Sequence, residues 1–272
     1  MRCKCKYFRD AAMAACLLVC SCSIKEDRTP CPCYLVLDLD PLIEAGDYRE
    51  SLVSVSSDML ISQEKIELAP YEDIGYEVKV PRRTIRMSVA AGVQSASWHG
   101  DTLRCEENAE ADALYAWSHA QVCDDDMVYL SPKLHKQYCL VGFNILGYDD
   151  GEYEYALRLR ADCNALRLYD LKPVEGNYSA TVRLSNSGSY SVRVPRQADN
   201  RLRLDILMPD RRGVYGDDDL VSTFDIGAEM AALGYDWTKE DLDDVVVTVD
   251  MVQANISVEI HEWNRSDIVV EL

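Results

Sequence analysis

Positive charge is what this sequence lacks most. It has 28 Lys and Arg against 47 Asp and Glu, a formal charge of −19. A surface of that sign repels phosphate backbones and anionic headgroups, which excludes nucleic acid as a partner and electrostatic attachment to a bilayer. Phe and Trp are also scarce (3 and 4), while Tyr is abundant at 16. That bias suits sheets, where Tyr covers a half-buried surface and keeps its hydroxyl wet. Only four histidines occur: His99, His119, His135 and His261 lie in separate segments, with no HxxxH or HxH pattern beside an acid. Zinc or nucleophilic chemistry has no local support there. Gly-rich phosphate loops and G-x-S-x-G elbows are missing too. We therefore expect no catalytic residue, no metal and no cofactor.

Long hydrophobic runs are few. The stretch "AAMAACLLV" (11–19) follows the basic residues Arg2, Lys4, Lys6 and Arg9. Nine residues rise about 14 Å as a helix, roughly half a bilayer's hydrocarbon core. The run is too short to span a membrane but fits a signal-peptide core, so residues 1–21 are expected to be a leader. Val19, Cys20 and Ser21 before Cys22 resemble the bacterial lipobox, in which the cysteine is lipidated and becomes residue one. An ordinary secretory signal is the alternative. Cleavage before Cys22 removes four basic residues and one acid, taking the charge from −19 to −22. Such a domain is held by lipid, each buried methylene contributing about 0.8 kcal/mol. Lys25, Glu26 and Asp27 resemble the short signal that sends lipoproteins of Bacteroides-type bacteria to the outer face of the outer membrane.

Cysteine is plentiful only near the start. Of 11, seven lie in the first 33 residues, and Cys105, Cys123, Cys139 and Cys163 are the rest. The body is not a disulfide-dense scaffold. Cys105 with Cys123, and Cys139 with Cys163, are possible pairs whose connectivity the sequence leaves open. Cys31 and Cys33 cannot readily bond across one residue, and no second pair stands at zinc-finger spacing.

What fills the rest is period-two alternation. It runs through 34–40, 76–80, 84–89, 138–145, 153–160, 178–184, 190–195, 202–209, 245–251, 256–260 and 268–272, with Gly, Pro, Asn and Asp between. Short runs of this kind predict antiparallel sandwiches, not a parallel α/β sheet. Short helices are expected over 224–236, ending near Gly234, and over 238–244, where Thr238 and Asp241 have capping-box spacing. Eleven strands suit two sandwiches. We divide the chain into a lipidated tether (22–33), an N-terminal sandwich (34–135) and a C-terminal sandwich (136–272). The acid runs 124–126 and 217–219 read as solvated turns, since neither has an EF-hand loop pattern.

A family resemblance rests on three passages. "CSIKEDRTPCPCYLVLDLD" (22–40) resembles the start of the fimbrial anchor and minor-subunit lipoproteins of Bacteroides-type, type V pili. There, Cys22, Glu26-Asp27, Cys31-Pro32 and the first strand match the family's order. "YEVKVPRRTIRMSVAAG" (76–92) is similar to its strand–Pro–strand passage, and "GYDWTKEDLDDVVVTVDM" (234–251) to its C-terminal pattern. The segment 93–135 matches nothing in it. The resemblance implies an all-β fold of two tandem transthyretin-like Greek-key β-sandwich domains with short decorating helices. It also implies an outer-membrane lipid at Cys22 and fimbrial structural or accessory subunits as partners. Ile268, Val269, Val270, Glu271 and Leu272 would complete their own domain or pair with a partner by β-augmentation. A surface lipoprotein that binds glycans or host ligands is the alternative, and a secreted hydrolase with two paired carboxylates is the third reading.

Overall fold

The structure, a computed structural model, describes residues 28, 30–147, 155–184, 190–208 and 219–263. It is built almost wholly of strands. In chain order they are β1 (Cys33–Leu37), β2 (Glu50–Ser56), β3 (Ile61–Glu67), β4 (Tyr76–Val80), β5 (Thr84–Ala91), β6 (Ser97–His99), β7 (Thr102–Arg104), β8 (Tyr115–Val122), β9 (Met127–Leu130) and β10 (His135–Lys136). There follow β11 (Tyr138–Leu146), β12 (Ala156–Arg167), β13 (Lys172–Arg183), β14 (Tyr190–Pro195), β15 (Arg203–Leu207), β16 (Leu220–Phe224), β17 (Asp244–Asp250) and β18 (Asn255–His261). Among the described residues two α-helices accompany them, α1 (Asp40–Ala45) and α2 (Ile226–Ala232).

Among the described residues these form four sheets, ordered β4-β1-β9, β10-β8-β5-β2-β3, β14-β11-β17-β18 and β16-β15-β12-β7-β6, with β13 also paired to β12. Alternation places one side-chain row of each sheet inward. Leu35 and Leu37 of β1 meet Val53, Val55, Ile85, Met87 and Val89 from the second sheet in one core. Val141, Leu157, Leu159, Val192, Val194, Val245 and Val247 form the other, closed by Ile226 and Met230 of α2. The first strand of each half sits between an antiparallel neighbour and a parallel one: β1 between β4 and β9, β11 between β14 and β17. These parallel pairs depart from the purely antiparallel pattern that the short runs suggest.

Segment 93–135, without a family match, holds a connection that alternation does not reveal. The hairpin β6–β7 leaves its sequence neighbours and extends the sheet of the second half, with Leu103 opposite Leu166 on β12. Its other side rests on the second sheet, where Leu103 and Leu168 pack with Leu52, Ala90 and Ala116. Gly92 makes the departure possible: it has φ +84°, and a Cβ there would lie 2.0 Å from the Ala113 carbonyl.

One helix forms as expected and one does not. Asp225 caps α2 by accepting the Ala228 N–H at 3.0 Å, and Gly234 follows its end at φ +83°. Residues 238–241 make a turn and bends, 242–243 are irregular and Asp244 already opens β17, so no helix forms. Asp236 takes the N–H and hydroxyl of Thr238 at 2.8 and 2.7 Å. Asp241 is turned the other way and accepts the Lys136 N–H at 2.7 Å and bonds His135 at 3.0 Å. Each half of the expected capping box is thus engaged elsewhere.

Candidate functional site

Cys22, Lys25, Glu26, Asp27 and the segment Ile268–Leu272 lie outside the described residues. What the structure shows is where the chain that carries the first four enters the fold. Arg28 and Cys31 form a turn (Cys31 N to Arg28 O, 2.9 Å), and β1 begins at Cys33 as the central strand of its sheet. The entry is clasped by charge. Arg82, in the "PRR" connection between β4 and β5, donates its Nε to the Cys31 carbonyl at 3.1 Å. Its two terminal nitrogens reach the Asp124 carbonyl and the Asp126 carboxylate. Arg28 adds a bond to the same carboxylate at 2.6 Å, while the Asp126 carbonyl accepts the Tyr34 N–H at 2.9 Å. Hydrogen bonds from Arg82 and then Arg28 hold the Asp126 carboxyl below its usual range. The acid run 124–126 is therefore a turn that grips the start of β1. Charge-assisted bonds of this type are roughly twice as strong as neutral ones.

Behind the clasp, Cys33 and Cys123 are both fully buried and belong to the same core. Their thiols are near neighbours in that core, each acting on the titration of the other. All six described cysteines are free thiols, and the two candidate pairings are not formed. Cys123 faces Cys33, not Cys105. Cys139 packs with Tyr235 in the second core, and Cys163 lies where Gln197 clamps its backbone from both sides, at 2.9 Å each. Connectivity of this kind depends on which strands become neighbours, and spacing along the chain does not encode that.

The far end of the described chain is placed as well. Trp263 follows β18 and donates its N–H to Asp243 at 3.2 Å. Its ring lies 6.2 Å from that of Tyr115 and 5.8 Å from the Lys136 ammonium. Trp263, the last described residue, thus lies at the seam between the two halves. Next to it, β18 pairs only with β17 among the described residues, and Ile256, Val258 and Ile260 alternate towards the core. β9 is a second edge, exposing Met127 and Tyr129.

The remaining candidates do not converge. His99 and His261 are exposed, His119 stacks on Trp117, and His135 is tied to Asp241. Among the described residues no three His, Cys, Asp or Glu side chains are grouped to hold a metal, and no helix is long and apolar enough to cross a membrane. An open groove of about 760 Å³ runs past Tyr48, Glu50, Glu67 and Gln94. Register sets Glu50 opposite Glu67 there, but Glu50 is paired with Lys65.

No family profile matches the chain, and no curated protein matches it in sequence. Solved structures do match. The fimbrial anchor protein Mfa2 from Porphyromonas gingivalis aligns over 86% of this chain and 98% of its own, at TM-score 0.54 and 10% identity. The fold is shared with Bacteroidales adhesin-type and fimbrial anchor proteins. A Bacteroides thetaiotaomicron protein provisionally described as polysaccharide-binding aligns over 87% of this chain and 99% of its own, at TM-score 0.57 and 12% identity. Another from the same organism, provisionally described as an adhesin, covers 88% and 100% at TM-score 0.53 and 11% identity. At such identities the likeness is one of fold.

Proposed function

We propose that the chain is a non-enzymatic, lipid-anchored protein of the outer cell surface that anchors or terminates a fimbria. The observation that carries this reading is the end-to-end fold match to a fimbrial anchor protein, joined to a clasped entry strand that follows the lipobox-like cysteine in sequence. Cys22 is the attachment point, Lys25-Glu26-Asp27 the sorting mark, and residues 22–33 a tether. Cys33 stands eleven positions after Cys22, so the lipid lies at most roughly 40 Å from the first strand. Residues 34–135 and 136–272 are the two domains. Fimbrial subunits are the partners, met through open sheet edges such as β18 or through the terminal segment 268–272, where backbone hydrogen bonds would supply affinity and alternate side chains specificity.

Deleting the gene in its native cell tests the role. Fimbriae are expected to be shed into the medium and to lose their length control, and plasmid-borne wild type is expected to restore both. Unchanged, cell-attached fimbriae contradict the role. One fold neighbour is described as polysaccharide-binding, which favours a glycan ligand as the second reading. A glycan-array signal from protein that binds no fimbrial subunit would favour it.

A further inference from the structure

Two fully buried thiols meet at the point where the tether enters the fold. Cys33 opens β1 in the first sheet, and Cys123 stands one residue past β8 in the second. The contact therefore joins the two faces of one sandwich. Backbone contacts fix both ends: Cys33 is paired with Val80, and the Cys123 N–H bonds the Arg83 carbonyl at 2.9 Å. The Arg82–Asp126 clasp closes over them from outside. No third metal-ligating side chain is grouped with them among the described residues.

We propose that Cys33 and Cys123 form a disulfide that staples the tether-bearing strand to the opposite sheet. The proposal rests on the export reading above, which supplies an oxidising compartment. The chemistry is thiol–disulfide exchange with an oxidised dithiol carrier of the envelope. One cysteine loses its proton and attacks a carrier sulfur, forming a mixed disulfide and releasing a carrier thiolate. The second cysteine thiolate then displaces the carrier's other sulfur. Two protein thiols become one disulfide, and the carrier leaves as a dithiol with the two electrons and two protons. Burial pushes the Cys123 thiol up to about 12 and raises that of Cys33. Exchange therefore proceeds before β1 is seated, and the finished bond is shielded by the core. The bond closes a ring running from residue 33 to residue 123. A pull on the tether then reaches both sheets and cannot peel β1 from its neighbours alone.

The test uses the full chain, denatured and refolded in a mixture of oxidised and reduced glutathione, then alkylated and digested without reductant. The expected result is a linked Cys33–Cys123 peptide, with loss of alkylation at both residues and its return after reduction. Alkylation of both in the folded product, or linkage of either to another cysteine, overturns the proposal. A Cys33→Ser chain, which keeps the site nearly isosteric, is expected to leave Cys123 reduced. A Cys123 that still forms an intramolecular disulfide there overturns the assignment. Intact mass of protein from the cell envelope separates this proposal from the reading beneath it. An acylated N-terminus with reduced Cys33 and Cys123 defeats the staple alone. An unacylated chain that forms the linkage in glutathione defeats the anchor reading alone.

Discussion

Lys136 and Asp244 form an ion pair at the seam between the halves of the molecule. The lysine side chain is 1% exposed, and its ammonium bonds the Asp244 carboxylate and, at 3.2 Å, the Leu242 carbonyl. The ring of Tyr138 covers it at 4.8 Å. Removing one partner of a buried pair costs more than replacing the charge by an apolar chain, because the other charge is left without compensation. Asp244→Ala is expected to cost about 3 kcal/mol. Lys136→Met should cost clearly less, since Asp244 keeps the Leu140 N–H at 2.8 Å and some solvent. Urea unfolding of both variants checks the order. Equal costs would mean that the pair contributes only packing.

Asp205 is a fully buried carboxylate on β15. Arg158 reaches it at 2.9 and 3.0 Å, Arg160 at 2.8 Å and Thr223 at 2.8 Å. Burial alone would raise its pKa, but the bonds from Arg160, Thr223 and Arg158 outweigh that and hold it below the ordinary 3.8. A lowered folded pKa gives stability that is present above pH 4 and lost as pH falls through the folded value. Asp205→Asn is expected to cost roughly 2–4 kcal/mol near neutrality. It should also flatten the fall in stability below pH 4, as read by urea midpoints across pH 2–7.

Leu103 ties the hairpin β6–β7 to both halves through the third cluster. Truncating such a buried leucine costs about 2–5 kcal/mol. Leu103→Ala is expected to lower the thermal midpoint and to separate one calorimetric transition into two, because the hairpin joins the second sheet to the fourth. A single transition that merely shifts would show that the other seam contacts suffice.

The Cys33–Cys123 linkage has a signature in alkali. In the reduced fold the Cys123 thiol stays protonated to about 12, while an unfolded thiol titrates near 9.0. A raised folded pKa gives stability that is complete below pH 9 and lost as pH climbs towards 12. Reduced protein is therefore expected to lose stability more steeply over that window than glutathione-oxidised protein. At neutral pH, closing a ring of this length should make the oxidised form about 4 kcal/mol more stable. Parallel denaturation curves for the two forms measure both effects.

Legibility in the sequence followed burial on one face. Val245, Val247 and Val249 alternate because β17 has a core side and a half-covered side, and the run reads as a strand at sight. β2 is hidden for the opposite reason. Its residues Leu52–Val55 are buried on both faces, the outer one beneath the hairpin, so no period of two survives. β3 is hidden because it is a polar edge, with Gln63, Glu64 and Lys65 in its middle. The basic residues of "PRR" and the acids 124–126 were visible as charges. Their meeting was not, because the parallel pairing of β1 with β9 brings them together across some forty residues. The same pairing placed Cys123 against Cys33.

Cys22 carries the central claim, and its substitution tests that claim most directly. In cells producing Cys22→Ala, fractionation is expected to move the protein out of the outer membrane, and electron microscopy to show fimbriae detached from the cell. A variant that stays membrane-bound, with fimbriae still attached, contradicts the account.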